Sequence, residues 1–183
     1  MNFEIELIYY YGNSWPTVQI ENSVISETVI DKSTKNIVIL INDVSDELVL
    51  TKTGKTDSDT VVENNIIVRD QFIEIKSIRA DNILLDLNLI KDHCVFTPAY
   101  SQGYYDYCQK HNQEIEPTIN TFNLYFNGVW KFQFENPFWS WYADLRKQSD
   151  LKYFSSDFIE KYIGNNHSEH QELMTKLKQL LNV

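Results

Sequence analysis

The chain reads as mainly β: a two-sheet, jelly-roll-like sandwich over residues 1 to about 135, followed by a C-terminal helical extension over 136–183. Three observations carry that reading. From Asn2 to about Leu89, short apolar stretches recur at roughly 8–12-residue spacing with turn signals between them, the mark of a sandwich rather than of βαβ units. Asn120–Glu135, NTFNLYFNGVWKFQFE, sets Asn127-Gly128 between two aromatic runs, the strongest short-range hairpin signal. Helical periodicity is absent until after Asn136-Pro137.

The elements follow in order. Phe3, Ile5 and Leu7 alternate with Glu4 and Glu6, the period of a half-buried strand. Gly12-Asn13-Ser14 and Trp15-Pro16 form a turn, and Val18 and Ile20 resume the alternation. Val24–Ile30 is a β-branched segment ending at Asp31-Lys32-Ser33. Asn36–Asn42 is a continuous apolar run, which predicts a central strand covered on both faces. Leu48 and Leu50 alternate with Val49 and Thr51 before a loop from Gly54 to Asp59. Thr60–Glu63 and Ile66–Arg69 flank Asn64-Asn65 as a compact hairpin. Ile73 and Ile75 alternate with Glu74 and Lys76, and Ile83–Ile90 is a further apolar segment.

The hydrophobic pattern also chooses a register for the aromatic hairpin. A two-residue turn leaves neither face clean. Taking Phe126 into a bulged turn, with Gly128 left-handed, puts Phe122, Leu124, Trp130, Phe132 and Phe134 on one face. Asn123, Tyr125, Val129, Lys131 and Gln133 then share the wet one.

Between 91 and 117 the pattern breaks into an irregular insertion without a clean period, rich in Tyr, Gln and Asp. A loop of that length is functional or tied down by its own side chains. Past Pro137 the chain turns helical, with Phe138, Trp141, Tyr142 and Leu145 at helix spacing. A short helix from Ser156-Asp157 to Tyr162 and a final amphipathic helix from Ser168, carrying Leu173, Met174, Leu177, Leu180 and Leu181, complete it.

Composition narrows the function. The 183 residues suit one domain, or one domain plus a small appendage. Lys+Arg 16 against Asp+Glu 26 gives a net charge of −10, which argues against a nucleic-acid partner. No apolar run is long enough to cross a bilayer, so no membrane role is expected. The N-terminus shows no secretory signal, and Cys94 and Cys108 read as free thiols.

Catalytic signatures are missing: no phosphate-binding Gly-rich loop, no nucleophile elbow, no His-Glu-x-x-His helix. The expectation is a protein that is not an enzyme. His93-Cys94 with Cys108 and His111 has the donor set for zinc but the spacing of no established zinc module, and reads as buried Cys beside surface His. His167 and His170, without a third ligand, read as solvated. Asp57 and Asp59 in one loop and Asp70 before the next strand are the candidate calcium set, because Ca²⁺ needs several oxygens converging from loops. Trp15, Tyr100, Tyr104, Tyr105 and Tyr107 lie in predicted loops. Exposed rings there would stack on sugars or anchor a protein partner. Trp130, Trp139 and Trp141 fall in phase with other apolar residues and read as core.

The stretch Asp46–Asp81, DELVLTKTGKTDSDTVVENNIIVRDQFIEIKSIRAD, resembles the small β-sandwich domains related to calcium-dependent xylan-binding modules. It resembles more closely virion-associated proteins of tailed phages that share this sandwich, in which an aromatic hairpin and a short helix follow. The resemblance spans about two-thirds of the chain and leaves out 91–117 and the final helices. It implies a sandwich and, loosely, calcium or sugar contacts at Asp57, Asp59 and Asp70. With no signal and no catalytic partner visible, the leading expectation is a virion structural or decoration protein. It would work through contacts with itself, as a homo-oligomer, and with other virion proteins. The alternative is a glycan-binding module for host-surface polysaccharide, with calcium as its candidate cofactor.

Overall fold

The computed structural model describes residues 1–20, 36–64 and 66–153, with side chains to 149. Within them the strands are β1 (Phe3–Tyr10), β2 (Thr17–Ile20), β3 (Asn36–Ile41), β4 (Glu47–Thr53), β5 (Val61–Glu63), β6 (Ile66–Arg69), β7 (Phe72–Ala80), β8 (Ile83–Leu84), β9 (Cys94–Ala99), β10 (Asn123–Leu124) and β11 (Asn127–Gln133). The helices are α1 (Leu87–Ile90), α2 (Gln102–His111) and α3 (Phe138–Tyr153). Val24–Ile30 and the two helices expected after Ser156 lie outside the described residues.

Two antiparallel sheets face each other. One has the order β10-β7-β1-β3, with β8 beside β7; the other is β2-β4-β11-β9. Strand alternation dictates the core. Phe3, Ile5, Leu7 and Tyr9 point inward from β1, while Leu48 and Leu50 of β4 and Trp130 and Phe132 of β11 meet them, all buried. Ile75 and Ile78 are both buried although three residues apart, because a bulge opposite Glu6/Leu7 absorbs one residue of β7. At one end Phe3 and Phe134 lie 5.4 Å apart, and Phe138, from the first turn of α3, is 5.2 Å from Phe134. Trp141 joins the same cluster at 5.5 Å from Phe138. The chain divides into two compact units, Met1–Trp141 and Tyr142–Val183, and the described part of the second is the rest of α3.

Four expectations change. The Asn127-Gly128 hairpin is not formed: β10 pairs with β7 in the first sheet, and β11 pairs with β4 and β9 in the second. Leu124, Trp130, Phe132 and Phe134 do share the core, but across the sandwich rather than along one face. Apolar patterning decides which side of a strand is buried and leaves open which strand is its neighbour. The Asn-Gly pair serves a different contact. Gly128 has φ +150°, and a Cβ there would lie 2.3 Å from the Thr97 carbonyl oxygen and 3.0 Å from Pro98 Cα of β9. The Asn127 side chain clasps the Lys55 backbone, accepting from its N–H at 2.9 Å and donating to its C=O at 2.8 Å.

The second correction concerns Asn36–Asn42. Among the described residues β3 ends its sheet, and Val38 and Leu40 are 55% and 65% exposed while Ile39 and Ile41 are buried. Third, 91–117 is not an irregular insertion. It supplies β9, whose Pro98 is tolerated because β9 is the last strand of its sheet, and then α2, capped by Ser101. Fourth, Ile83–Ile90 is split: Asp81 and Asn82 turn at positive φ into the two-residue β8, and Asp86 caps α1 by accepting from the Asn88 N–H. The expected pairing of Thr60–Glu63 with Ile66–Arg69 is present as β5 against β6, and among the described residues β5 pairs with no other strand.

Lys52 is fully buried on the inner face of β4, and its Nζ has no hydrogen-bond partner among the described residues. Burial first, and the like charge of Lys55 second, lower its pKa to about 7 against the pull of Asp70 and Asp59.

Two predictions follow from this packing. Gly128→Ala should cost roughly 2–4 kcal/mol in denaturant unfolding, since overpacking and backbone strain coincide there. Below about pH 7 both folded and unfolded chains hold the Lys52 proton, and the burial cost is felt in full. Between about pH 7 and the ordinary lysine range the unfolded chain binds more protons, so stability rises with pH. Lys52→Met should therefore raise the melting temperature at about pH 6, with the gain shrinking toward about pH 9. Thermal melts across that range check it, and a loss of stability at the acidic end would contradict it.

Candidate functional site

One end of the first sheet carries a row of aromatic rings, and strand register puts it there. Tyr9 points into the core, so Tyr10 points out. Tyr10 pairs directly with Phe72 across β1 and β7, and their rings stack at 3.9 Å with 6° between planes. In β10, Leu124 pairs with Ile73 and is buried, so Tyr125 follows on the outer face, 4.9 Å from the Phe72 ring. Tyr10 and Tyr125 are 37% and 44% exposed.

This row floors a groove of about 1250 Å³. One wall is α2, where Tyr104, Tyr107 and His111 fall on a common face at three- and four-residue steps. Phe126 joins it, with its ring 4.8 Å from that of Tyr104. Burial, and then a hydrogen bond with the Cys108 thiol, push the Tyr104 phenol up to about 12. The opposite wall is the β5–β6 hairpin, through Val62, Ile67, Val68 and Arg69. Between the walls Lys55 Nζ donates to Asp70 Oδ1 and to the Tyr125 carbonyl, each at 2.6 Å. Arg69 lies over Tyr11, its Cζ 6.0 Å from the ring centroid, and donates to Asn13 Oδ1.

Asp59 holds the loops below this groove. Its Oδ1 accepts from the Asn13 N–H at 2.8 Å, the Ser14 N–H at 2.6 Å and the Ser14 hydroxyl at 2.9 Å. Its Oδ2 accepts from the Thr56 N–H at 2.8 Å and hydroxyl at 2.9 Å. Burial opposes ionisation, but the bonds from Thr56 and Ser14 outweigh it and hold the carboxyl down at about 2.

The expected calcium set does not assemble. Asp59 is saturated by protein donors, Asp70 is taken by Lys55, Thr60 and the Gln71 N–H, and Asp57 faces Gly103. Among the described residues no three His, Cys, Asp or Glu side chains group to hold a metal ion. Cys94 and Cys108 are buried and unbonded to each other, His93 stacks edge-on to Trp141, and His111 packs on Tyr107. His167 and His170 lie outside the described residues.

Of the five predicted aromatic positions, Tyr104 and Tyr107 reach the groove. Tyr100 backs it, stacked on Tyr104 at 4.9 Å and donating to the Glu116 carbonyl. Tyr105 is exposed away from the lining, and Trp15 sits half-buried against Tyr11. Sequence reasoning missed Tyr10, Phe72, Tyr125, Lys55 and Arg69. The signal was present for the rings: Tyr10 and Phe72 fall out of phase with their buried neighbours, and Tyr125 was placed on a wet face. Among the described residues no helix is long and apolar enough to cross a membrane.

No protein-family model matches this chain, and no curated protein matches it. Its structure is similar to that of vCBM60, a carbohydrate-binding module, in complex with galactobiose. The TM-score is 0.43 and the sequence identity 10%, over 73% of this chain and 98% of that one.

Asp59→Asn would set an amide N–H₂ against the two Thr56 donors and should cost about 2 kcal/mol at neutral pH. The native carboxyl is depressed, so its contribution is present above the usual carboxyl pKa of 3.8 and lost as pH falls toward about 2. Acid unfolding curves should therefore lose part of their slope in that window in the variant; identical curves would remove the assignment.

Proposed function

We propose that the protein is a non-catalytic glycan-binding module whose ligand lies across Tyr10, Phe72 and Tyr125. The observation supporting it is the face-to-face Tyr10–Phe72 stack, continued by the tilted Tyr125 ring, on the floor of the groove. The ring faces and edges left outside that stack offer apolar contact to the C–H faces of sugar rings, while the charged and hydroxyl groups of Lys55, Thr60, Arg69 and Tyr107 surround them to meet the hydroxyls. The groove exceeds the roughly 300–1,000 Å³ of small-molecule sites, which favours a chain of sugar units over one. Its lining holds a single carboxylate, Asp70, ion-paired with Lys55, whereas glycoside hydrolysis uses two.

A second reading is a virion structural or decoration protein of a tailed phage that binds itself or other virion proteins. It has β6 in its favour. Ile66, Ile67 and Val68 are 52–66% exposed on a hairpin that pairs with neither sheet, and adjoining exposed apolar residues mark contact surfaces.

A glycan array on the purified chain, with and without chelator and beside light scattering for mass, separates the two. Binding of specific oligosaccharides is expected. Tyr125→Ala should weaken it at least tenfold, about 1.4 kcal/mol, with the melting temperature unchanged. Chelator should leave affinity intact, because Asp59 and Asp70 are committed to protein donors. Chelator-sensitive binding would return calcium to the site. No sugar binding, together with an oligomer that Ile67→Glu dissociates, would favour the second reading.

A further inference from the structure

The charge of the groove narrows the ligand, given the glycan-binding reading on which this rests. The chain carries −10 overall, so carboxylates outnumber basic groups over it as a whole. In the groove they do not. Its charged or titratable lining groups of basic type are Lys55, Arg69 and His111, against the one carboxylate of Asp70. Lys55 neutralises Asp70 at 2.6 Å. Glu74 accepts the Tyr10 hydroxyl at 3.0 Å and lies outside the lining.

Arg69 is the charge left over. It is exposed, its hydrogen bond goes to the neutral Asn13 side chain, and among the described residues no carboxylate pairs with it. Its position is nonetheless held. Asn13 donates through its own N–H to Asp59 and through Nδ2 to the Ser58 carbonyl, and the Tyr11 ring lies beneath the guanidinium. A planar fork fixed at one corner, with N–H groups still free, is the donor that matches a carboxylate in two-point fashion.

We propose that the groove selects an acidic glycan, a chain of carboxylated sugar rings, and that Arg69 is its specificity-determining residue. The rings stack along Tyr10, Phe72 and Tyr125, and a ring carboxylate pairs with the Arg69 guanidinium. His111, on the facing wall, adds a second donor to the anionic side of the chain.

A matched pair of probes isolates the charge: a short oligogalacturonide and the same oligosaccharide with its carboxyls reduced to primary alcohols. Titration calorimetry on the intact chain should show the acidic form bound about tenfold more tightly at low salt, with the difference shrinking as ionic strength rises. Arg69→Gln should abolish the difference, weakening the acidic form about tenfold more than the reduced form. Arg69→Lys, which keeps the charge and loses the fork, should restore it only in part. Equal affinity for the two forms would overturn this inference and leave a neutral-glycan site. A preference surviving in Arg69→Gln would overturn the role of Arg69. Failure of both forms and of every neutral glycan would instead overturn the reading beneath it.

Discussion

A buried carboxylate joins the two loops that shape this end of the sandwich. Asp59 is 1% exposed, and a buried charge is costly unless hydrogen bonds replace its water. Five donors do so, from the β1–β2 turn on one side and from Thr56 on the other. The turn that leaves Tyr11 and the loop that carries Lys55 are thereby held together. Asn13, fixed by the same carboxylate, receives Arg69. Gly12 is required in that turn because a Cβ would lie 2.4 Å from the Asp59 carbonyl oxygen.

The groove itself is a product of strand ends. Three neighbouring strands each place one outward ring at the same level, and the pleat makes those rings adjacent. An exposed aromatic row on one sheet face would invite association, but here α2 and the β5–β6 hairpin rise on either side of it. Lys55 and Asp70 lie between the walls, while Arg69 and His111 belong to the walls themselves. Lys55 serves both purposes: its backbone is clasped by Asn127, and its ammonium ties Asp70 to the Tyr125 carbonyl. The second sheet thus positions the charged side of a surface that the first sheet floors.

Period-two alternation was enough to assign β1, β4 and β7, because each carries apolar residues that meet the core. The same rule kept Leu124, Trp130, Phe132 and Phe134 together. It failed where the question was one of partners. Asn127-Gly128 has the composition of a hairpin turn, yet its glycine is there to admit β9, which no local pattern reveals. The run in β3 looked doubly buried because burial by neighbours beyond the strand is not encoded in its own residues. The insertion at 91–117 hid β9 and α2, since a six-residue strand containing Pro98 and a mostly polar helix show little periodicity.

For the site, the residue types were legible and their company was not. An excess of Tyr and the loop carboxylates were visible in composition and pattern, and the groove was not. Tyr104 and Tyr107, singled out from the sequence, line the groove, whereas Asp59 and Asp70 of the expected calcium set, Asp57, Asp59 and Asp70, are bonded to protein donors. Sequence by itself determined which side of β1 and of β7 faces water, because their apolar residues alternate at a fixed period. Tertiary structure alone decided that Tyr10, Phe72 and Tyr125 form one row and that the β1–β2 turn donates to Asp59. Those outcomes depend on contacts between segments 45 to 62 residues apart, which no local period contains.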